Sequence, residues 1–212
     1  MDVLVTGANR GIGQGLVDHY RAAGDHVIAT ARDGSADIGL DVTDSDQQAR
    51  LAEMLVDQPI DLLICNAGVY LDKGIGIADY TAEIWAQTFA ANVTGVYLTV
   101  RSVLPSLQRT GGKIAIMSSQ MASHTRAPGG SYAYRASKAA VLSLGRNLAA
   151  DLAGDGIAVG IYHPGWVQSD MGSDAADITV AESVAGLTTR FDHLSLATTG
   201  CFETWDGRTH AY

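Results

Sequence analysis

The sequence predicts an α/β fold in which a parallel β-sheet carries helices on both faces. Short apolar runs rich in β-branched residues alternate with amphipathic helical patterns along the whole chain. No internal repeat or linker divides it, and 212 residues, of which 47% are hydrophobic, suit one domain, 1–212, with a sizeable core. Ligands of such sheets bind at the carboxyl ends of the strands, so residues that follow a strand are the first candidates for a site.

The chain begins with a short apolar run, Val3–Thr6, which predicts a strand buried on both faces. Three glycines follow, Gly7, Gly11 and Gly13, and then a helical pattern that ends at Gly24. Glycines let a ligand approach the backbone closely, and the unbonded N–H groups of a helix N-terminus attract negative charge. The stretch predicts a pyrophosphate-binding turn, although glycine-rich turns also serve ordinary packing of a strand on a helix.

The later elements continue the alternation. The predicted strands are His26–Thr30, a brief Leu40–Val42, Ile60–Cys65, Lys113–Ser118, Ile157–Tyr162 and a last one within Thr199–Trp205. The predicted helices cover about 45–56, 81–108, 132–153 and 180–190. We expect the second of these to be interrupted by Gly95 and bent or stopped near Pro105.

Composition excludes several classes of function. The net charge of −9 argues against general binding to nucleic acid or to an anionic membrane surface. The two cysteines, Cys65 and Cys201, make no disulfide framework and no metal-ligand cluster. The chain enters a strand with no leader pattern, and no apolar run approaches the length of a membrane span. We expect a cytoplasmic protein without a metal, a nucleic-acid partner or a membrane partner.

A tyrosine and a lysine four residues apart carry the clearest chemistry. Tyr134 and Lys138 share one face of a predicted helix, with Cβ atoms about 5–6 Å apart. An ammonium group beside a phenol favours the phenolate and lowers the tyrosine pKa from its usual ~10, which suits proton transfer near pH 7. The alternative is a structural pair, because this spacing arises on many helices by chance.

Other polar residues have both a functional and a structural interpretation. Ser118 and Ser119 end a strand, where a hydroxyl can polarise a substrate carbonyl or simply begin a loop. Asn92 lies mid-helix, where asparagine is a poor helix former, so it marks either a helix irregularity that holds a water or a solvated or locally bonded amide. His163 is expected to pack at a strand end. Trp166 is expected either to line a substrate pocket or to pack in the core.

These residues form an ordered set that resembles the short-chain dehydrogenase/reductase family over nearly the entire chain. The set is Thr6-Gly7-x-x-x-Gly11-x-Gly13, Asp41-Val42, Asn66-Ala67-Gly68, Asn92, Ser119, Tyr134-x-x-x-Lys138 and Pro164-Gly165-x-Val167. Segments 165–172 and 200–207 are similar to the compact C-factor and sniffer-type carbonyl reductases of that family. The resemblance implies a Rossmann-like, doubly wound parallel sheet of about seven strands, and an enzyme that interconverts a small-molecule carbonyl and an alcohol.

The resemblance also implies catalytic roles. Tyr134 would be the general acid, and Lys138 would lower its pKa and bind the nicotinamide ribose. Ser119 would bond the substrate oxygen; it is preferred to Ser118 because the family uses the second serine of such a pair, although its separation from Tyr134 is longer than usual. Asn92 would hold the water of a proton relay that reaches Lys138.

A larger set would hold the cofactor. The resemblance places Gly7, Asn9, Arg10, Gly11, Ile12 and Gly13 in the pyrophosphate turn and Arg32 at the end of the second strand. It places Asp41 and Val42 beside the adenine, and Asn66, Ala67 and Gly68 beside the central part of the cofactor. Tyr134, Lys138, Pro164, Gly165, Val167 and Ser169 would complete the set of cofactor-binding residues. Cys65 stands where the family often has Asn, and Ser169 where it has Thr.

The choice of cofactor depends on charge. NAD-selective relatives usually carry an acid at the end of the second strand, whereas here Ala31 is followed by Arg32, and Arg10 lies in the glycine turn. Two guanidinium groups suit a ribose 2′-phosphate, so NADP(H) is preferred and NAD(H) remains possible. The alternative is that the arginines are solvated or that Arg32 pairs with Asp33.

The sequence is compatible with two functions: a reductase, and a cofactor-binding sensor with little turnover. Halide elimination, the activity of a family offshoot that loses the glycines and replaces the lysine with Arg, does not fit this chain. Substrate identity stays open, because the segments Val69–Asp79, Met121–Ser131 and Trp166–Arg190 carry no readable chemistry; the last would cover the substrate. Relatives usually pair through the two long helices, so the resemblance implies a homodimer or homotetramer.

Overall fold

The computed structural model describes residues 1–125, 127–173 and 175–212. Among them seven strands form one parallel sheet in the order β3-β2-β1-β4-β5-β6-β7. The strands are β1 Asp2–Thr6, β2 His26–Ala31, β3 Ile38–Gly39, β4 Leu62–Cys65, β5 Lys113–Met117, β6 Ala158–His163 and β7 Phe202–Thr204. The helices are α1 Gly11–Ala22, α2 Ser45–Leu55, α3 Ala82–Phe89, α4 Gly95–Thr110, α5 Tyr132–Leu152 and α6 Val180–His193. The predicted α/β fold is confirmed.

Strand order reverses between β1 and β4, because the chain runs outward from β1 to β3 and then returns to the middle of the sheet. The two strands pair in register, Val5 opposite Ile64. The glycine turn after β1 and the Asn-Ala-Gly segment after β4 therefore lie side by side at the carboxyl edge. This switch point is where open α/β sheets bind their ligands.

Each face of the sheet has its own core. One core buries Leu4, Leu63 and Ile114 under α2, α4 and α5, and the other buries Val5 and Ile64 under α1 and α6. Successive side chains of a strand point to opposite faces, so a strand covered on both sides needs apolar residues throughout. This explains the unbroken apolar runs in the sequence. No helix of the described residues is both long enough and apolar enough to cross a membrane.

The structure corrects two expectations about the long helical pattern. The helix runs through Gly95 and Pro105 rather than breaking there, and the interruption is a π-helical turn at Ala90–Thr94. A Cβ at Gly95 would lie 2.7 Å from Val42 Cγ2, so this glycine serves close packing. Pro105 is exposed, where water can satisfy the carbonyl that its missing N–H leaves unbonded.

The third strand is also displaced. It covers Ile38–Gly39 instead of Leu40–Val42. Asp41 N–H donates to Gln47 Oε1 at 2.7 Å, so this backbone group bonds a side chain of α2 and not a neighbouring strand. Leu40 and Val42 are nevertheless buried in the core, which explains why the apolar pattern resembled a strand.

Candidate active site

The glycine turn has a conformation that side chains would obstruct. Gly7 and Gly11 have left-handed backbones, with φ of 64° and 52°, and a Cβ at Gly13 would lie 2.1 Å from the Gly7 carbonyl oxygen. Helix α1 starts here with no side-chain cap and no acidic residue in its first turn. Such a cradle, with helix N–H groups left open, fits the pyrophosphate of a dinucleotide.

Residues after β4 hold the glycine turn in place. Asn66 Nδ2 donates to the carbonyls of Thr6 at 3.0 Å and Gly7 at 2.9 Å. The backbone N–H groups of Asn66 and Ala67 both donate to Thr6 Oγ1, each at 3.1 Å. Asn66 and Ala67 therefore shape the backbone of the turn.

Gly68 brings two of the predicted catalytic residues together. A Cβ on Gly68 would lie 3.0 Å from Asn92 Oδ1 and 3.6 Å from Lys138 Nζ. Lys138 is buried, and its Nζ donates to the Met117 carbonyl at 2.9 Å. Burial disfavours the ammonium form and lowers the pKa of Lys138 to about 8.

Asn92 lies within the π-helical turn, so the predicted helix irregularity is present. Its Nδ2 donates to the Val69 carbonyl at 2.9 Å and to Ser137 Oγ at 3.0 Å, while its Oδ1 accepts from Val69 N–H at 2.8 Å. The side chain is buried, which excludes a solvated amide, whereas its three hydrogen bonds agree with a bonded structural amide. π-turns inside α-helices occur frequently at functional sites.

Tyr134 lies between a serine and the lysine. The Ser119 side chain lies close enough to the buried phenol to lower its pKa, and Lys138 Nζ lies 5.6 Å from the ring centroid. Ser118 Oγ is engaged elsewhere, donating to the Lys138 carbonyl at 2.9 Å. Ser119, not Ser118, is therefore the hydroxyl that faces the phenol.

One electrostatic expectation was wrong. Burial raises the pKa of Tyr134 above its usual value, the Ser119 side chain opposes this, and the nearby Tyr70 and Asp72 raise the pKa further. Desolvation of the phenolate outweighs the expected effect of Lys138. The ammonium of Lys138 bonds a backbone carbonyl, which the four-residue spacing does not reveal.

The segment after β6 reaches the glycine turn. Pro164 O accepts from Ser183 Oγ at 2.6 Å, and Val167 forms an isolated bridge with Ile178. A Cβ at Gly11 would lie 3.7 Å from Ser169 Cβ, so Ser169 contacts the turn. Gly165 packs closely against Ile178, because a Cβ at Gly165 would lie 2.4 Å from Ile178 Cδ1.

The two arginines differ in their surroundings. Arg10 forms an exposed ion pair with Asp170, with Nη1 and Oδ2 2.8 Å apart. Arg32 is exposed and makes no ion pair with any residue that the structure describes. Asp33 accepts hydrogen bonds from Ser35 and from Asn9 Nδ2, the latter at 2.8 Å, so the alternative of an Arg32–Asp33 pair is wrong.

The remaining predicted residues lie around this centre. Asp41 Oδ1 accepts from the backbone N–H and hydroxyl of Thr43, Val42 is buried beside Gly95, and Ile12 packs on the core. No group of three or more metal-ligating side chains occurs in 1–125, 127–173 and 175–212.

A cavity of about 390 Å³ adjoins the site. Trp166, Gln120, Gly165 and Arg208 are among its lining residues. Trp166 is 44% exposed, which favours the pocket-wall interpretation over core packing. His163 is buried at the end of β6 with its ring against His210, as expected of a packing residue. Arg126 and Asp174, within two of the predicted pocket segments, lie outside the described residues.

Sequence reasoning missed two side chains in the loop after Gly68. The Tyr70 ring stacks on Tyr134 with centroids 4.1 Å apart. Asp72 is fully buried and accepts from the backbone N–H groups of Ala133 and Tyr134. A tyrosine and an aspartate in a glycine-containing loop are expected to be exposed to solvent, and their spacing matches no motif.

Known proteins match the chain along most of its length. The family model described as short chain dehydrogenase matches residues 2–178. The C-signal protein of Myxococcus xanthus is 38% identical over 152 residues, which cover 70% of this chain and 90% of that protein.

Solved structures of carbonyl reductases match it as well. The NADPH-bound carbonyl reductase from chicken fatty liver superposes with a TM-score of 0.89 at 31% identity, over 100% of this chain and 98% of that one. The carbonyl reductase Sniffer of D. melanogaster superposes with a TM-score of 0.92 at 26% identity, over 100% and 99% of the two chains.

Proposed function

The chain belongs to the short-chain dehydrogenase family and is an NAD(P)-dependent oxidoreductase, and from that premise we propose that it interconverts a carbonyl and an alcohol with NADP(H), using Tyr134 as general acid and base. The observation that carries this proposal is the meeting of Ser119, Tyr134 and Lys138 beside an uncapped glycine turn. The Tyr134 phenol, as proton donor, and the Ser119 hydroxyl, as hydrogen-bond partner of the substrate oxygen, would then lie next to the dinucleotide.

The side chains divide the work of carbonyl reduction. A bound nicotinamide dinucleotide supplies the hydride that reaches the carbonyl carbon. The Ser119 hydroxyl hydrogen-bonds the substrate oxygen and Tyr134 gives it the phenol proton, so the product is a neutral alcohol. Burial keeps Tyr134 protonated, which suits this direction.

The relay residues return a proton to the phenol. Lys138, with its pKa lowered to about 8, can lose and regain a proton near neutrality and would bond the nicotinamide ribose. Asn92 would hold the relay water at the π-turn. Because its side chain already bonds Val69 and Ser137, it also fixes the loop that carries Tyr70 and Asp72.

The preference for NADP(H) is supported from two sides. The similar chicken carbonyl reductase is NADPH-bound. In this chain Arg32, at the end of β2, makes no ion pair among the described residues, and Arg10 lies in the glycine turn. A guanidinium group binds a ribose 2′-phosphate through two hydrogen bonds.

A substrate panel tests the activity. NADPH oxidation is followed with aldehydes, ketones and quinones for the wild type, for Tyr134→Phe and for the control Tyr212→Phe, which removes the hydroxyl of an exposed tyrosine. We expect turnover in the wild type and the control, and a loss of at least about a hundredfold in Tyr134→Phe with NADPH still bound. Turnover that survives Tyr134→Phe would refute the proposed role.

The similarity to C-signal favours one alternative, a cofactor-binding sensor with little turnover. The same panel separates the two functions. NADPH binding by calorimetry, with no carbonyl reduced by the wild type, would support the sensor. A sensor would bind NADPH in the same glycine turn as a reductase, so cofactor binding alone does not distinguish the two functions.

We also propose a homodimer or homotetramer that pairs through α4 and α5 and works in the cytoplasm. The assembly is supported by Tyr97 on the outer face of α4, which is 47% exposed and could pack against a second copy. The location is supported by the two cysteines, which are both free thiols. Light scattering of the purified chain tests the assembly: a monomer at all concentrations would contradict it. Fractionation of cells that express the native chain tests the location.

A further inference from the structure

Among the acidic residues that the structure describes, Asp72 stands apart because it is fully buried beside the candidate catalytic tyrosine. Its Oδ2 accepts from the backbone N–H groups of Ala133 at 2.8 Å and Tyr134 at 3.2 Å, and from Tyr80 Oη at 3.0 Å. Two of these three donors belong to the first turn of α5. A loop 61 and 62 residues before these two donors therefore caps the helix that carries Tyr134.

Helix α5 has no cap of its own. Ser131, at the N-cap position, has a left-handed backbone with φ of 50° and makes no side-chain cap bond. Its Oγ instead shares a 2.5 Å hydrogen bond with Tyr70 Oη. Helices α2, α3 and α6, by contrast, are capped by Asp44, Thr81 and Thr179 from the adjoining residue.

Helix stability alone does not account for this arrangement. A buried carboxylate is costly unless it is well bonded, and Asp72 Oδ1 has no hydrogen-bond partner among the described residues. A serine with an extended backbone at the N-cap could satisfy the same N–H groups locally, but Ser131 has a left-handed backbone and bonds Tyr70 instead. What the distant cap adds is a fixed position for the backbone of Tyr134 relative to the loop that also stacks Tyr70 on its ring.

We propose that Asp72 is a positioning residue for the reaction: its carboxylate fixes the first turn of α5 and so holds the Tyr134 phenol opposite Ser119. This inference rests on the proposed reductase function. Small displacements of a reacting group cost much rate, about a hundredfold for 1 Å. Asp72 touches no reacting atom, so its effect passes through Tyr134.

Asp72 also sets the electrostatic surroundings of the phenol. The ionisable groups that face Tyr134 are Lys138 on its own helix, and Tyr70 and Asp72 on the loop. The negative charge of Asp72 helps to raise the pKa of Tyr134. Reduction needs the protonated phenol, and burial raises the pKa of Tyr134 so far that the phenol stays protonated at any pH suitable for an assay. Asp72→Asn should therefore act on kcat through the position of the phenol and not through its protonation.

The test compares Asp72→Asn with Asp61→Asn in the full chain. Asp61 also accepts a backbone N–H, that of Asp2 at 2.8 Å, but at the amino edge of the sheet. We expect Asp72→Asn to lower kcat about tenfold to a hundredfold while the substrate KM and the NADPH affinity stay within about twofold. Asp61→Asn should change none of these. A purely structural role for Asp72 would lower Tm and leave the kcat of the folded enzyme at the wild-type value.

Two further measurements keep the proposal falsifiable. Tyr80→Phe removes one donor to Asp72 and the acceptor of the Tyr132 N–H, and should lower kcat a fewfold. If Asp72→Asn does not fold and Tyr80→Phe has wild-type kcat, the proposal is wrong. Hydrogen exchange of the peptide over 132–136 should speed up in Asp72→Asn and not in Asp61→Asn, and unchanged exchange would also overturn it. A wild type inactive on every carbonyl defeats the reductase function instead, and the exchange result still decides the role of Asp72 in holding Tyr134.

Discussion

At the scale of single residues, burial decides the protonation of the two groups that give the site its chemistry. Desolvation raises the pKa of Tyr134 and lowers the pKa of Lys138 to about 8. Both shifts favour the neutral form. The phenol therefore keeps its proton, and the lysine can exchange one near neutral pH. Burial of the two groups lowers the stability of the fold.

This cost predicts a pH dependence of stability. Because the pKa of Lys138 is about 8 in the folded chain and about 10.4 when unfolded, the unfolded state binds more protons between these values. The free energy of unfolding should therefore rise with pH across this window, and the penalty is fully present below pH 8.

Lys138→Met should remove that dependence, raise stability at pH 7 by about 1–3 kcal/mol and abolish turnover. Urea unfolding of the wild type and the variant at pH 7 and pH 10 measures these changes in the free energy of unfolding. Lys113→Met is the contrast, since Lys113 donates to two carbonyls at the end of α6 and its loss should destabilise. A less stable Lys138→Met at pH 7 would mean that the buried charge is compensated.

Arg32 carries the prediction about cofactor choice. Because it makes no ion pair among the described residues, its guanidinium is available to a 2′-phosphate. Arg32→Ala should raise the NADPH Michaelis constant far more than the NADH one, whereas Arg109→Ala, at the opposite edge of the sheet, should change neither. Equal effects on the two cofactors would reject the assignment.

Sequence reasoning brought together Asn92, Tyr134 and Lys138 because their spacing is local or matches an ordered family pattern. It could not find Asp72, whose partners lie about 60 residues away. It also misjudged the pKa of Tyr134, because spacing shows which groups are near but not how far they are removed from water.

At the scale of elements, glycines mark places where two parts of the backbone come close. Gly13 was predicted as a ligand-approach residue, and it is also needed where α1 passes the Gly7 carbonyl. Gly95 was predicted as a helix break and instead lets α4 pack on Val42. A local pattern shows that a glycine is present, but only tertiary packing shows which purpose it serves.

Gly13→Ala is the element-scale prediction. The added Cβ would lie 2.1 Å from Gly7 O, so the turn must open, and we expect NADPH affinity to fall at least about tenfold together with a lower Tm. Gly154→Ala is the matched control, because nothing lies within 4 Å of a Cβ there. Calorimetric titration with NADPH measures both. Wild-type affinity in Gly13→Ala would show that the turn does not hold the cofactor.

At the scale of the whole molecule, the sheet joins two half-sites. The glycine turn comes from β1, and the proton-transfer residues follow β4 and β5 on the other side of the switch point. The alternation of elements predicted two layers of helices about a parallel sheet. The doubly wound arrangement was implied by the family resemblance, and the position of the switch point was learned from the structure, because periodicity does not specify strand order.

A crystal structure of the chain with NADP⁺ bound tests this account most directly, through the position of the nicotinamide C4 atom. We expect the pyrophosphate at the N-terminus of α1, the 2′-phosphate at Arg32, and C4 beside the Tyr134 phenol and Ser119, with Lys138 Nζ on the ribose. A nicotinamide ring bound away from Tyr134, or a dinucleotide outside the glycine turn, would contradict the account.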